Sequence, residues 1–114
     1  MQRPEEILKT TTAGGTLTTN SAVGTDGTIA FFIYNDTDSS LDFDAQLAIE
    51  DSDDDGDFEW VPAEDPALFT QITFTVGIGL HRARFLTGSV TGMRYRLVCD
   101  STGATGTVRI VAVR

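Results

Sequence analysis

The stretch that decides the fold is LDFDAQLAIEDSDDDGDFEW, residues 41–60. Leu41, Phe43, Ala45, Leu47 and Ile49 alternate with Asp42, Asp44, Gln46 and Glu50, and only Ala48 breaks the pattern. Side chains of an extended strand point to opposite faces in turn, so this spacing makes one oily face and one acidic face. DSDDDGD at 51–57 is turn chemistry, and the apolar pattern restarts at Phe58, Trp60 and Val61 ahead of Pro62. The segment predicts a β-hairpin with one face against a core and the other in water.

Upstream, Ile29-Ala30-Phe31-Phe32-Ile33-Tyr34 is a nearly continuous apolar run, as expected of a strand buried on both faces or at a subunit contact. Asn35-Asp36-Thr37-Asp38-Ser39-Ser40 is a turn cluster whose short side chains can bond their own backbone. Downstream, the alternation at 68–76 predicts another strand, Gly77 and Gly79 mark a turn, and 80–86 reads as a short strand. Met93, Tyr95, Leu97 and Cys99 alternate with Arg94, Arg96 and Val98. Asp100 to Gly106 is a hairpin loop, and Thr107–Val113 closes the chain. Residues 1–27 are polar and rich in Thr and Gly, and they read as an extended N-terminal arm with one short strand near 15–19. The expected architecture is all-β: a single antiparallel β-sandwich, or a compact jelly-roll-like barrel, of about seven or eight strands over 28–114.

The 114 residues suit one domain, and 40% apolar residues suffice for a core. Cys99 is the sole cysteine, which excludes an intrachain disulfide and makes it a buried hydrophobe by expectation. No apolar run reaches membrane-spanning length and no secretory h-region opens the chain, so synthesis in a cytoplasm-like compartment and no membrane partner are expected. Charge is divided along the chain. Residues 1–65 carry sixteen acidic groups against Arg3 and Lys9, a net of −14, whereas 66–114 carry six Arg against Asp100, a net of +5. The acidic half would repel phosphate, which argues against nucleic acid, while the asymmetry permits head-to-tail complementarity between subunits.

Few residues suggest chemistry. Asp51, Asp53, Asp55 and Gly56 match the first half of a calcium loop, in which carboxylates at alternating positions surround the ion and the Gly permits the turn. Asp57 or Glu59 would complete the shell, but Pro62 stands where a bidentate Glu is required, and no helices flank the loop. A solvated acidic turn explains the same residues. His81, the sole histidine, has no nucleophile motif to serve. Arg82/Arg84 and Arg94/Arg96 each project from one face of a strand, where pairing across strands with Asp42, Asp44 or Glu50 outweighs phosphate binding as an explanation. Trp60 with Tyr34 and Phe58 reads either as a sugar-stacking platform or as a plug at the end of a sandwich.

The hairpin IEDSDDDGDFEWVPAED (49–65) and the closing strand pair MRYRLVCDSTGATGTVRIVAVR (93–114) resemble small β-sandwich virion proteins of tailed bacteriophages. Those proteins share an acidic turn followed by a Trp, an Arg-containing strand and a Gly/Thr hairpin near the C-terminus. The likeness spans roughly residues 28–114, and the acidic stretch is longer here. It implies a non-enzymatic capsid decoration (cement) protein or a related head or tail component. Such a protein is made in the host bacterial cytoplasm, is located on the capsid surface and uses no cofactor. Its partners are the major capsid protein or other virion subunits, and it is commonly a homo-oligomer. In that reading Ile7, Leu8 and Leu17 of the arm, with Phe31, Phe32 and Tyr34, form the contacts. The reading from a different class is a calcium-dependent carbohydrate-binding β-sandwich that uses the 51–59 loop and Trp60.

Overall fold

The computed structural model describes residues 5–24, 27–49, 59–65 and 68–113. They form β1 (Glu5–Thr12), β2 (Thr16–Thr18), β3 (Ala22–Val23), β4 (Gly27–Thr37), β5 (Leu41–Ile49), β6 (Val61–Pro62), β7 (Thr73–Val76), β8 (His81–Ser89), β9 (Met93–Asp100) and β10 (Gly106–Val113). No helix occurs among the described residues. One sheet runs β1-β10-β4-β8, and the other runs β2-β9-β5-β6. On the second sheet β3 joins β2 in pairing with β9, and β7 joins β6 in pairing with β5. Every pairing is antiparallel. The two sheets pack face to face, as expected of an antiparallel sandwich.

The core follows from the alternation. Ile29, Phe31 and Ile33 of β4 meet Phe43 and Ala45 of β5, Leu97 and Cys99 of β9, and Val108, Ile110 and Ala112 of β10. The Phe31 and Phe74 rings lie tilted with centroids 6.2 Å apart. Phe31 and Phe43 are wholly buried, and truncating either to Ala would cost about 3–5 kcal/mol through lost transfer energy and a residual cavity. The β4 run is therefore not apolar for a single purpose. Phe31 fills the core, while Phe32 and Tyr34 stand half-buried on the outer face of their sheet.

Two expectations are revised. The extended arm over 1–27 is not seen as a separate feature in its described residues. β1 pairs along β10 from Glu5↔Val113 to Thr12↔Thr107, with a bulge between Ile7 and Lys9, while β2 and β3 pair along β9. Leu17 and Ala22 are core residues. A ladder uses backbone groups, so a Thr-rich segment with little apolar bulk can still pair along an existing strand. Likewise the strand expected over 68–76 shrinks to β7. Asp65 captures the chain ahead of it: its carbonyl accepts from the Phe69 N–H (2.8 Å), its carboxylate from the Leu68 N–H (3.2 Å), and its own N–H donates to the Thr70 carbonyl (2.8 Å).

Asn35, fully buried near the end of β4, holds one end of the sandwich. Its Nδ2 donates to the carbonyls of Ser39 (2.9 Å), Val76 (3.0 Å) and Gly77 (3.0 Å). Its Oδ1 accepts from the Thr37 N–H (3.1 Å) and the Thr37 hydroxyl. One amide thus ties the β4–β5 crossing to the turn that leads into β8.

Candidate functional site

The flank where β8 ends one sheet and β6 and β7 end the other carries the unusual surface chemistry. All seven exposed large apolar side chains among the described residues fall between 61 and 90. Val61 lies on β6, Leu68 and Phe69 on the β6–β7 connection, Ile78 and Leu80 on the turn before β8, Phe85 on β8, and Val90 just after it. Scattered exposed apolar residues are ordinary, but here they fall on the outlying strands β6 and β8 and the segments around them, with Leu80 and Val90 at opposite ends of β8.

The connection between β6 and β7 projects from this flank as a small finger. Ala63 N–H donates to the Ala45 carbonyl and Ala45 N–H to the Ile72 carbonyl, so β5 is handed from one strand to the next. Glu64 and Gln71 form a bridge at the base, and the Gln71 amide donates to the Ala45 carbonyl at 3.0 Å. At the tip Leu68 is 70% and Phe69 78% exposed. Phe69 has φ of 55°, the left-handed region that a bulky side chain adopts at a cost of roughly 1–2 kcal/mol. An aromatic ring held outward on strained backbone has no folding rationale within this chain. Leu47, Ala63, Ile72, Leu86 and Tyr95, with Glu64, Thr87 and Ser89, line a cleft of about 210 Å³ at the base of the finger.

Beside the apolar surface runs a charged edge. Arg82 and Arg84 share one face of β8, as their spacing predicted, and it is the face turned toward the other sheet: Arg84 donates to the Thr75 carbonyl of β7 at 3.0 Å. Arg82 donates to the His81 carbonyl at 3.2 Å. Neither takes Asp42, which instead accepts from the Thr75 hydroxyl at 2.7 Å. Arg94 and Arg96 are likewise set apart from Asp42 and Asp44 by register, because Arg94 lies opposite Ala48 and Arg96 opposite Gln46. Arg94 donates to the Ser21 hydroxyl at 3.2 Å. Glu50 lies outside the described residues.

The remaining candidates are dispersed. Asp51, Asp53, Asp55, Asp57 and Phe58 lie outside the described residues, and among the described residues no cluster of three or more His, Cys, Asp or Glu is spaced to hold a metal. Trp60 is half-buried under the Arg96 guanidinium, 4.1 Å from the ring centroid, while Arg96 Nε donates to the Gln46 side chain at 2.8 Å. Burial draws the Arg96 pKa below its usual value. One ring face is thereby occupied, and Tyr34 stands on the other sheet, so the two aromatics make no shared platform. His81 pairs with Asp36 at 2.7 Å and meets Tyr34 edge-on at 5.0 Å, while Arg109 lies 5.5 Å from the same Tyr34 ring. Cys99 is buried, and its thiol is pushed up to about 11 by burial and then by the charges of Asp100, Asp42 and Asp44, so it is no nucleophile at neutral pH. Of the expected contact residues, Leu17 and Phe31 lie in the core, Phe32 and Tyr34 lie on the outer face of the first sheet, and Ile7 and Leu8 lie on β1. The finger was missed because its Leu-Phe pair continued the apparent alternation of 68–76. Asp65-Pro66 immediately ahead was the available turn signal.

No protein-family model matches the chain, and no curated protein matches its sequence.

Proposed function

We propose that this protein is a non-enzymatic structural subunit of a phage particle, a decoration protein that docks on the capsid through the flank of β6, β7 and β8. The observation that carries this reading is the finger tip: Phe69, 78% exposed on left-handed backbone, beside exposed Leu68. Buried aromatic anchors dominate the energetics of protein interfaces, and Phe69 is held by its N–H bond to the Asp65 carbonyl, which lowers the entropy lost on docking. Repetition of such a contact over a shell multiplies modest single-site affinity into strong retention. The likeness of residues 49–65 and 93–114 to phage virion proteins supplies the kind of shell.

The test is to express the chain together with the capsid genes adjacent to its own gene and to separate the particles on a density gradient. The chain should band with the particles at constant stoichiometry. Phe69→Asn, which suits left-handed backbone, should fold with stability unchanged or raised by up to about 1 kcal/mol, yet leave the particle band. A wild-type chain that stays at the top of the gradient, or a Phe69→Asn chain retained at full occupancy, would refute the assignment.

A further inference from the structure

The outer face of the first sheet is unlike that of the second. An antiparallel sheet with one face on the core ordinarily turns polar side chains to water on the other. The second sheet does so, with Asp42, Asp44 and Gln46 of β5 beside Arg94 and Arg96 of β9. The first sheet sets two apolar rows side by side instead. Register places Val111, Phe32 and Ala83 in one row and Val113, Ala30 and Phe85 in the next, across β10, β4 and β8. Their neighbours along the strands, such as Phe31, Leu86 and Ala112, are the buried ones, so these six side chains face outward. Phe85 is 61% exposed.

Polar groups frame the two rows. Arg109, Tyr34 and His81 form the row on one side, with Asp36 beyond it, and Thr28 and Thr87 form the row on the other. An apolar centre inside a polar rim is the build of a protein interface. Charge favours a second copy as its occupant. A chain of net charge −9 repels its own copies, yet the outward positions of β4, β8 and β10 carry one acid, Asp36, against Arg109 and His81. The area suffices as well. Strands of eight residues at about 3.3 Å each, four of them about 4.8 Å apart, give this face roughly 500 Å². Two such faces together bury ~1,000 Å², the least that a specific interface needs.

The rows also select an orientation. A two-fold axis along β4 would stand Asp36 of one copy on Asp36 of the other. An axis that crosses the strands at the Phe32 row avoids this. Tyr34 of one copy then stands over Ala30 of the other, His81 over Phe85, Arg109 over Val113 and Asp36 over Thr28. A large side chain meets a small one at Tyr34 and Ala30, and no like charges face each other.

We propose that two copies of this chain pack through the outer faces of their first sheets, antiparallel about the Phe32 row, as a closed dimer. The contact uses the same patch on both copies, so it ends at two. It gives Phe32 and Tyr34 the subunit contact that their sequence suggests. It does not depend on the decoration role, and each finger stems from the other sheet and is left free.

Sedimentation of the full chain over a wide range of concentrations at physiological salt tests this, with thermal melts confirming that each variant is folded. The wild-type chain should pass from monomer to dimer and no further. Phe85→Glu should dimerise at least tenfold more weakly. Ala30→Tyr and Tyr34→Ala should each weaken the dimer by a similar factor, the first by a clash and the second by a gap. A chain carrying both changes exchanges large for small at the same contact and should recover most of the lost affinity. Val98→Thr, on the outer face of the other sheet, should change little. A wild-type chain that stays monomeric at every concentration would overturn the proposal, as would a Phe85→Glu chain that dimerises like wild type or a double variant no tighter than the single ones. A dimer that never bands with particles overturns only the decoration role, and a monomer that does so overturns only the dimer.

Discussion

Replacing Asn35 should cost more than any other single polar change among the described residues. The side chain is fully buried and joins five partners through its amide. In Asn35→Leu the volume is nearly kept, but the Ser39 and Val76 carbonyls lose this donor and the Thr37 N–H loses this acceptor. The Gly77 carbonyl keeps the Leu80 N–H at 3.2 Å and the Ser39 carbonyl keeps the Thr37 hydroxyl at 3.0 Å. Each lost bond is worth about 1 kcal/mol net, and a buried group left without a partner costs ~1–3 kcal/mol. Added apolar burial offsets part of this, leaving a net loss of about 3 kcal/mol. At about 4 °C per kcal/mol for a domain of this size, the Tm should fall by roughly 12 °C. Circular dichroism melts and urea titration, with an unchanged m-value, measure it. Asn35→Asp separates polarity from shape. It keeps the acceptor and places a carboxylate against three carbonyl oxygens, so burial and repulsion raise its folded pKa above the unfolded value near 3.9. Its penalty is then present above the unfolded pKa and relieved below it. The gap to wild type should widen as pH rises from about 4 to 7. A Leu variant within 3 °C of wild type, or an Asp variant whose gap does not depend on pH, would refute the account of Asn35 as the pin.

The Cys99 thiol should resist a disulfide reagent at pH 8 until the protein is unfolded. Because its pKa is raised to about 11 in the fold, the unfolded chain ionises first and stability should decline as pH rises from about 9 toward 11; rapid labelling of native protein would contradict this. Gly106→Ala should fail to give folded protein or lose several kcal/mol, since φ is +126° and an added Cβ would lie 2.2 Å from the Asp36 carbonyl oxygen. Gly79→Ala, at φ of +66° with nothing within 4 Å, should lose only about 1 kcal/mol, and similar melts for the two would undermine the steric argument. Asp36→Asn should cost less than about 1 kcal/mol, because both partners of the His81 pair are half-exposed, and the small effect should shrink in high salt.

The sandwich was legible wherever alternation and turn chemistry agreed. β5, β9 and β10 fall where the spacing put them, and the clusters at 35–40 and 100–106 are the crossings between sheets. What escaped was mostly register. Asp42, Asp44, Arg94 and Arg96 all stand on strands that do pair, β5 with β9, but the ladder sets Asp44 opposite Val98 and Gln46 opposite Arg96. A two-residue displacement keeps every face correct and changes every partner, and the pattern of one chain does not specify it. The short strand expected near 15–19 is β2, but β1 and β3 escaped for another reason: their hold is mainly backbone pairing, which leaves little trace in residue type. The apolar flank was hidden because Val61, Leu68, Phe69, Ile78, Leu80, Phe85 and Val90 look in sequence like core residues. Only the loss of an opposing layer at the edges of both sheets leaves them in water.

The place of β10 carries a consequence for synthesis. The last of the ten described strands to be made lies between β1 and β4, in the middle of its sheet. Until Gly106–Val113 has cleared the ribosome, β1 has no partner and that sheet consists only of β4 and β8. Closure of this sandwich is therefore withheld until its tenth strand has emerged. A chain released before β10, by a frameshift or a nuclease cut in its message, lacks Val108, Ile110 and Ala112 and leaves the core beside β4 open. The cell's proteases thereby gain a clean distinction between a finished sandwich and a fragment of one.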